Sequence, residues 1–278
     1  MSDTVTSDPI TIDTGAPTLL CEIRERVAII TLNRPEVRNA MGDEITPFIR
    51  EQIRERGRDD RVGAILLTGA GTAFCAGGNV KGMGANRAKT MTPAERIADL
   101  KARERGLTGA LRAVRKPTIA ALPGAAAGAG MALALACDVR IAAESAFLTT
   151  GYRNVALSGD YGIAWMLCQL VNAAKARELM FTGQRVQSAE ALALGLVNRV
   201  VPDAELRQAA FDWAREMASG PAAAIAAMKD NLDDAPTISF DQALDREAER
   251  LIPLQAHPDH LEAVRAFVEK RKPVFNQG

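Results

Sequence analysis

Short, uninterrupted apolar runs recur along the first 200 residues. Residues 62–67 and 118–122 are nearly continuous apolar stretches, a pattern typical of strands that are covered on both faces of a sheet. Residues 18–25 and 27–32 stand next to each other, and this spacing predicts a hairpin. Further strands are predicted at residues 137–142, 146–150 and 196–201.

Helical periodicity fills the intervals between these runs. Ile45, Phe48, Ile49 and Ile53 form one apolar stripe, which predicts a helix over residues 42–56. Thr92-Pro93-Ala94-Glu95 is typical of a helix start with a capping box, and the helix is expected to continue to about Val114. The pattern predicts further helices over 131–136, 162–170, 173–181, 188–194, 203–218, 221–232, 239–255 and 258–272.

The order of these elements predicts an α/β protein. Strand–strand–helix units recur first, and a segment made almost entirely of helices follows them. We therefore expect a flexible N-terminal segment (1–17), a layered core (18–201) and a helical region (202–278). Because the last helices carry apolar stripes but little core of their own, we expect them to pack on another subunit.

The bulk composition narrows the function classes. The 34 basic and 34 acidic side chains cancel, which gives no support for a nucleic-acid or membrane-surface partner. No apolar run is long enough to span a membrane. Residues 1–17 lack the features of a signal peptide, so we expect a cytoplasmic protein. The four cysteines are widely spaced and are expected to be free, buried thiols.

Two loops are built mainly from small residues. Residues 74–81 read F-C-A-G-G-N-V-K, and residues 124–132 read G-A-A-A-G-A-G-M-A. Such loops present backbone N–H groups, so together they could place two donors on one oxygen. Close packing of a helix against a strand is the alternative explanation. A dinucleotide loop is disfavoured because Leu133 stands where a third glycine or an alanine is needed.

Other candidate chemistry is weaker. His257 and His260 are expected to cap a helix rather than bind a metal, and with no other histidine in the chain a catalytic triad is disfavoured. No metal site is therefore expected. Trp165 is expected in the core. The cluster of Lys270 with its two basic neighbours is either a solvated face or a phosphate contact.

Six stretches together resemble the enoyl-CoA hydratase/isomerase (crotonase) superfamily and span nearly the whole chain in family order. They are I-T-L-N-R-P-E-V-R-N-A-M from Ile30, F-C-A-G-G-N-V-K from Phe74, K-P-T-I-A-A-L-P-G-A-A-A-G-A-G from Lys116, A-C-D-V-R-I-A from Ala136, F-T-G-Q-R-V-Q-S-A-E-A-L-A-L-G-L-V-N-R-V-V-P from Phe181, and A-F-V-E-K-R-K-P-V-F from Ala266.

The resemblance implies a fold, an assembly and a ligand. The fold is a spiral of β-β-α units with a C-terminal helical trimerisation region, assembled as a homotrimer or a hexamer. The ligand is an acyl-CoA thioester, with coenzyme A as part of the substrate and no separate cofactor. By matching, the N–H groups of Gly78 and Ala129 form an oxyanion hole. The implied substrate and CoA contacts are Arg38, Ala76, Asn79, Val80, Lys81 and Tyr152, together with Phe267 and Lys270 of a neighbouring subunit.

The chain departs from the family pattern at the acids. Hydratases of this family use two glutamates, and the matching residues here are Ala132 and Tyr152. Asp160 instead matches the acid of several isomerases, although S-G-D-Y-G is also good turn chemistry. These features favour an enoyl-CoA isomerase with Asp160 as the proton shuttle. A hydratase with unusual acids, a CoA-linked lyase or dehalogenase, and a non-catalytic acyl-CoA binder remain open.

Overall fold

The computed structural model describes residues 8–78 and 91–276, and it contains two packed sheets. The larger sheet has the strand order β1-β2-β3-β4-β6-β8-β11, and the smaller one has β10-β9-β7-β5. The strands are β1 (Ile10–Ile12), β2 (Leu19–Arg24), β3 (Val27–Leu32), β4 (Ala64–Gly69), β5 (Ala73–Cys75), β6 (Thr118–Leu122), β7 (Ala125–Ala127), β8 (Val139–Ala143), β9 (Phe147–Thr149), β10 (Val186–Gln187) and β11 (Arg199–Val201).

The chain winds as a spiral. The strands β3, β4, β6, β8 and β11 are parallel neighbours in the large sheet, while β5, β7 and β9 are parallel neighbours in the small one. Each turn contributes one strand to each sheet before a helix returns the chain, which confirms the predicted β-β-α units. The antiparallel pair β2–β3 confirms the predicted hairpin.

The buried faces explain the continuous apolar runs. Every residue of β6 is buried, and β4 is buried except at Thr68. The reason is that the helix of residues Leu206–Ala218 packs on one face of β3, β4, β6 and β8, and the small sheet contacts β4 and β6 from the other. Gly124 permits the tight passage from β6 to β7, because a Cβ there would collide with the carbonyl oxygen of Thr72.

The helices of the core connect these strands. They are α1 (Thr46–Arg58), α2 (Pro93–Glu104), α3 (Ala110–Ala113), α4 (Ala129–Leu135), α5 (Ile163–Leu170), α6 (Ala173–Thr182), α7 (Ser188–Ala193) and α8 (Leu206–Ala218). The predicted capping box of Thr92 and Glu95 is present at the start of α2. A π-helical turn, Arg105–Gly109, joins α2 to α3 where the sequence predicted one regular helix.

Three helices follow the core: α9 (Ala222–Asp234), α10 (Phe240–Leu254) and α11 (Pro258–Val268). The Nζ atom of Lys229 fixes α9 to the core, since it lies 2.7 Å from Asp138 Oδ2 and donates to the carbonyl of Lys116 at 3.1 Å. Large apolar side chains on these helices remain exposed in the single chain. They are Met228, Leu232, Phe240, Leu244, Leu251, Ile252, Leu261, Val264, Phe267 and Val268.

Three local predictions are wrong. Ile10–Ile12, within the segment expected to be flexible, pairs with β2 as an edge strand. Trp165 is 48% exposed because its ring lies under the guanidinium of Arg112 rather than in the core. Cys168 is an exposed thiol, whereas Cys21, Cys75 and Cys137 are buried as expected.

Within the described ranges, no helix is long and apolar enough to cross a membrane. The same ranges hold no group of three or more histidine, cysteine, aspartate or glutamate side chains placed to bind a metal ion. His257 caps α11, since its Nδ1 accepts the N–H of Asp259 at 3.2 Å, as the sequence predicted.

Candidate active site

Backbone hydrogen bonds to neighbouring residues fix the first small-residue loop. Gly77 has a φ of +92°, and its carbonyl accepts the N–H of Met41 at 2.7 Å. Ala76 donates its N–H to the carbonyl of Arg38 at 2.9 Å, and Gly78 bridges to Met41. Arg38, one of the predicted CoA contacts, therefore lies beside Ala76, another of them.

The buried side chain of Asn39 anchors this loop. Its Nδ2 donates to the carbonyls of Ala70 and Ala73 at 2.9 and 2.8 Å, and its Oδ1 accepts the N–H of Arg34 at 2.8 Å. One amide thereby satisfies three backbone groups, and it ties the residues just before the loop, Ala70 and Ala73, to the segment of Arg34.

The second loop turns directly into α4. Gly128 has a φ of +51°, and its N–H donates to the carbonyl of Thr149 at 3.0 Å. Ala129 is the first residue of α4, and the first bond of that helix runs from Ala132 N–H to Gly128 carbonyl at 3.0 Å. The N–H of Ala129 therefore precedes the intrahelical ladder and is available to an acceptor outside the helix.

The two loops meet because both lack side chains. A Cβ placed on Gly77 would lie 2.8 Å from the carbonyl oxygen of Ala127 and 3.6 Å from the nitrogen of Ala129. A Cβ on Gly130 would collide with Cys75. The glycines thus let the first loop pack at Gly77 against Ala127 and Ala129 of the second, and Gly78 directly follows Gly77 along the chain.

The ring of Tyr152 stands next to this pair of loops. The Cζ atom of Tyr152 lies 3.9 Å from the place that a Cβ on Gly128 would occupy, and the tyrosine is only 7% exposed. Ala132, at the other position where hydratases carry glutamate, is fully buried in α4. A tyrosine and a methyl group therefore occupy the places of the two glutamates.

Tyr152 and Asp160 form a hydrogen-bonded pair. The phenol Oη donates to Asp160 Oδ1. Burial raises the pKa of Asp160 above its ordinary value, the hydrogen bond from Tyr152 opposes this rise, and the charge of Glu104 adds to it. Burial also raises the pKa of Tyr152, and the adjacent Asp160 charge raises it further. The phenol thus stays protonated as a donor.

Asp160 takes part in its turn through its backbone, since its carbonyl accepts the N–H of Ile163 at 3.2 Å, whereas its side chain makes a separate contact. Among the described residues, its carboxylate accepts from the Tyr152 phenol and from no N–H of its own turn. The turn is shaped by its glycines instead, since Gly159 and Gly162 have φ values of +122° and +77°. The carboxylate is therefore directed toward Tyr152, whose ring lies next to Gly128.

Several predicted contacts lie elsewhere. Phe267 is 85% exposed on α11 and Lys270 follows that helix, in the region expected to meet a neighbouring subunit. Asn79, Val80 and Lys81 lie outside the described residues. Burial raises the pKa of the Cys75 and Cys137 thiols to about 12, so neither is a nucleophile at neutral pH.

Sequence reasoning missed Glu104 in this region. Its Oε1 accepts the N–H of Tyr161, the residue after Asp160, at 2.9 Å. The position of Glu104 in the predicted helix could have indicated it. Leu107 and Leu111, which are buried, follow it at helical spacings of three and seven residues. A charged residue on an apolar helix face points to a buried partner.

The family model for enoyl-CoA hydratase/isomerase matches residues 22–278, which is most of the chain. The chain belongs to the enoyl-CoA hydratase/isomerase family. The two small-residue loops, the β-β-α spiral and the C-terminal helices are thereby features of a crotonase fold, as the sequence predicted.

The relatives carry both reaction names. The chain is 34% identical over 263 residues to 1,2-epoxyphenylacetyl-CoA isomerase of Escherichia coli, covering 92% of this chain and 97% of that one. It is 31% identical over 260 residues to short-chain-enoyl-CoA hydratase of Clostridium acetobutylicum, covering 91% and 95%. A solved structure of a protein from Streptomyces coelicolor A3(2) matches with a TM-score of 0.89, 34% identity and complete coverage of both chains.

Proposed function

We propose that this family member is an enoyl-CoA isomerase that moves a double bond along the acyl group of a thioester, with Asp160 as proton shuttle. The pair formed by Asp160 and Tyr152 beside the two small-residue loops carries this proposal. One carboxylate suffices for a proton shuttle, whereas the two-glutamate handling of water has no counterpart, since Ala132 and Tyr152 occupy those positions.

The proposed reaction balances within the substrate and one side chain. The Asp160 carboxylate takes a proton from C2 of a 3-enoyl thioester, and the electron pair moves onto the thioester oxygen as an enolate. The protonated Asp160 then returns the proton to C4 while the C2–C3 double bond forms. No water, metal or redox partner is consumed.

The two N–H donors lower the barrier by stabilising the enolate oxygen. A preorganised donor of this kind contributes about 3–4 kcal/mol by mutational precedent. Burial assists the proton transfer as well, because a carboxylate with a raised pKa is a stronger base and still returns its proton. The phenol of Tyr152 keeps one carboxylate oxygen occupied, so the other is the one that meets the substrate.

The test is to offer the purified protein a 3-enoyl-CoA and, separately, a 2-enoyl-CoA in deuterated buffer. We expect the 3-enoyl thioester to be converted to the 2-enoyl thioester. NMR and mass spectrometry of the products would detect this conversion. Hydration of the 2-enoyl thioester as the faster reaction would favour a hydratase. Binding without turnover of any enoyl-CoA would favour a non-catalytic binder, and either result contradicts the proposal.

Removing the Tyr152 hydroxyl is expected to shift the pH dependence. In Tyr152→Phe the carboxylate loses the hydrogen bond that stabilises its charged form, so the pKa of Asp160 rises further. Because the base must be ionised, the acid limb of kcat/KM moves to higher pH. Tyr161→Phe, which leaves that bond intact, is the matched control and should keep the wild-type limb. An unmoved limb in Tyr152→Phe would contradict the pairing.

We further propose that the protein assembles as a homotrimer or a dimer of trimers through α9–α11. The exposed apolar side chains of these helices support this assembly, since contiguous apolar surface of this kind usually meets another subunit. In it, Phe267 and Lys270 of one subunit would contact the CoA portion bound by the next. Coenzyme A enters as part of the substrate, no separate cofactor takes part, and we assign the protein to the cytoplasm.

A further inference from the structure

Glu104 connects α2 to the loop that carries Asp160. The N–H of Tyr161 donates to Glu104 Oε1 at 2.9 Å, across 57 positions of sequence. Tyr161 directly follows Asp160, so this bond fixes the backbone next to the carboxylate. The contact is partly buried, and such a bond to a charged acceptor is stronger than one between neutral groups.

Glu104 itself is rigidly placed. It precedes the π-helical turn Arg105–Gly109, in which Leu107 and Thr108 are buried, and Thr108 Oγ1 donates to the Glu104 carbonyl at 3.3 Å. A Cβ on Gly106 would lie 3.1 Å from Arg50 Cδ, so α1 packs closely against this turn. Single π-helical turns occur frequently at functional sites.

The loop requires an external support. Gly159, Tyr161 and Gly162 all have positive φ values, and for Tyr161 (φ of +53°) this conformation is unfavourable because the residue has a Cβ. Strained residues of this kind persist only where the surroundings hold them. The Glu104 carboxylate binds the N–H of the strained residue itself.

We propose that Glu104 is a positioning residue that fixes the Asp160 loop and places a second negative charge beside the Asp160 carboxylate. This inference rests on the proposed isomerase function for its kinetic consequences. Glu104 acts through Tyr161 and through its charge, whereas Asp160 moves the proton.

The charged and titratable neighbours of Asp160 come from three elements. Tyr152, in the turn after β9, donates to the carboxylate, and Glu104 of α2 repels its charged form. The phenol of Tyr161 is also close enough to Asp160 to be affected by its charge. Arg103 of α2 and Arg50 of α1 act on the same phenol with the opposite sign. Since the charge of Glu104 raises the pKa of Asp160, its removal is expected to lower that pKa.

Two substitutions separate the charge of Glu104 from its hydrogen bond. Glu104→Gln keeps an oxygen that accepts the Tyr161 N–H but has no charge, so the acid limb of kcat/KM should move to lower pH while plateau kcat stays close to wild type. Glu104→Ala loses both the charge and the hydrogen bond to Tyr161. The acid limb should therefore move to lower pH as in Glu104→Gln, and plateau kcat should also fall by about tenfold to a hundredfold because the Asp160 carboxylate is misplaced. Glu216→Gln, an exposed carboxylate on α8, is the charge-matched control and should change neither quantity.

A merely structural role for Glu104 predicts a different result. Both variants would then lower the melting temperature and plateau kcat together, with the acid limb unmoved and no rescue by glutamine. That result, or wild-type profiles in both variants, overturns the proposal.

A readout that needs no turnover separates this proposal from the proposed function. The Asp160 carboxyl can be titrated by carbon-13 NMR in aspartate-labelled protein, with its signal assigned by its loss in Asp160→Asn. A lower Asp160 pKa in Glu104→Gln supports the placement of Glu104 even if no 3-enoyl-CoA is isomerised. An unchanged pKa contradicts it even if isomerisation is fast.

Discussion

Asp160→Asn is expected to lower kcat/KM for isomerisation of a 3-enoyl-CoA by about 10²- to 10⁴-fold, the range that positioned acid–base groups contribute. Asparagine has nearly the same shape, and its Oδ1 still accepts the Tyr152 hydroxyl, so the pair keeps its geometry. What the variant lacks is a group that can take a proton from C2 and return it at C4. The loss should therefore fall on kcat, with substrate binding largely retained.

The measurement is steady-state kinetics on wild type and variant, with acyl-CoA affinity from calorimetry and folding from circular dichroism. Asp60→Asn, an exposed aspartate in the turn after α1, is the matched control and should retain wild-type kinetics. Turnover of Asp160→Asn within a few-fold of wild type would remove Asp160 from the mechanism.

Ala129→Pro is expected to lower kcat/KM by about 10²- to 10³-fold, because proline has no N–H and one donor of the proposed oxyanion hole disappears. The backbone accommodates this change. Ala129 is the first residue of α4, where proline is favoured. The preceding Gly128 has no Cβ to meet the proline ring, and its φ of +51° and ψ of −124° lie outside the helical region that a following proline disfavours. Proline also adds ring carbons at the place of the N–H, which obstruct the thioester oxygen.

Ala129→Gly is the control that keeps the N–H. Its kinetics should stay close to wild type, because only a methyl group is lost and the backbone N–H remains. Both variants should retain the circular dichroism spectrum of the wild type. Full activity in a folded Ala129→Pro protein would contradict the assignment of this N–H as a donor.

The architecture followed from local patterns. The apolar runs at 62–67 and 118–122 correspond to β4 and β6 in the structure. Thr92 and Glu95 form the predicted cap of α2. The π-helical turn after Glu104 was not predictable. Gly106 and Gly109 weaken a regular helix there but do not specify a π-helical turn, and packing against α1 and α3 decides it. The edge strand Ile10–Ile12 was missed because such a short segment is ordered only by pairing with β2.

The sequence alone determined which chemical groups the site contains. The small residues around Gly78 and Ala129 leave backbone N–H groups as the donors, and the absence of acids at Ala132 and Tyr152 follows from residue identity. Which groups act together was decided by the tertiary structure. Tyr152 reaches Asp160, and Glu104 reaches the backbone of Tyr161 from 57 positions away. Such pairings depend on where the spiral brings distant turns together, and burial then sets the proton affinity of Asp160, so no local pattern encodes them.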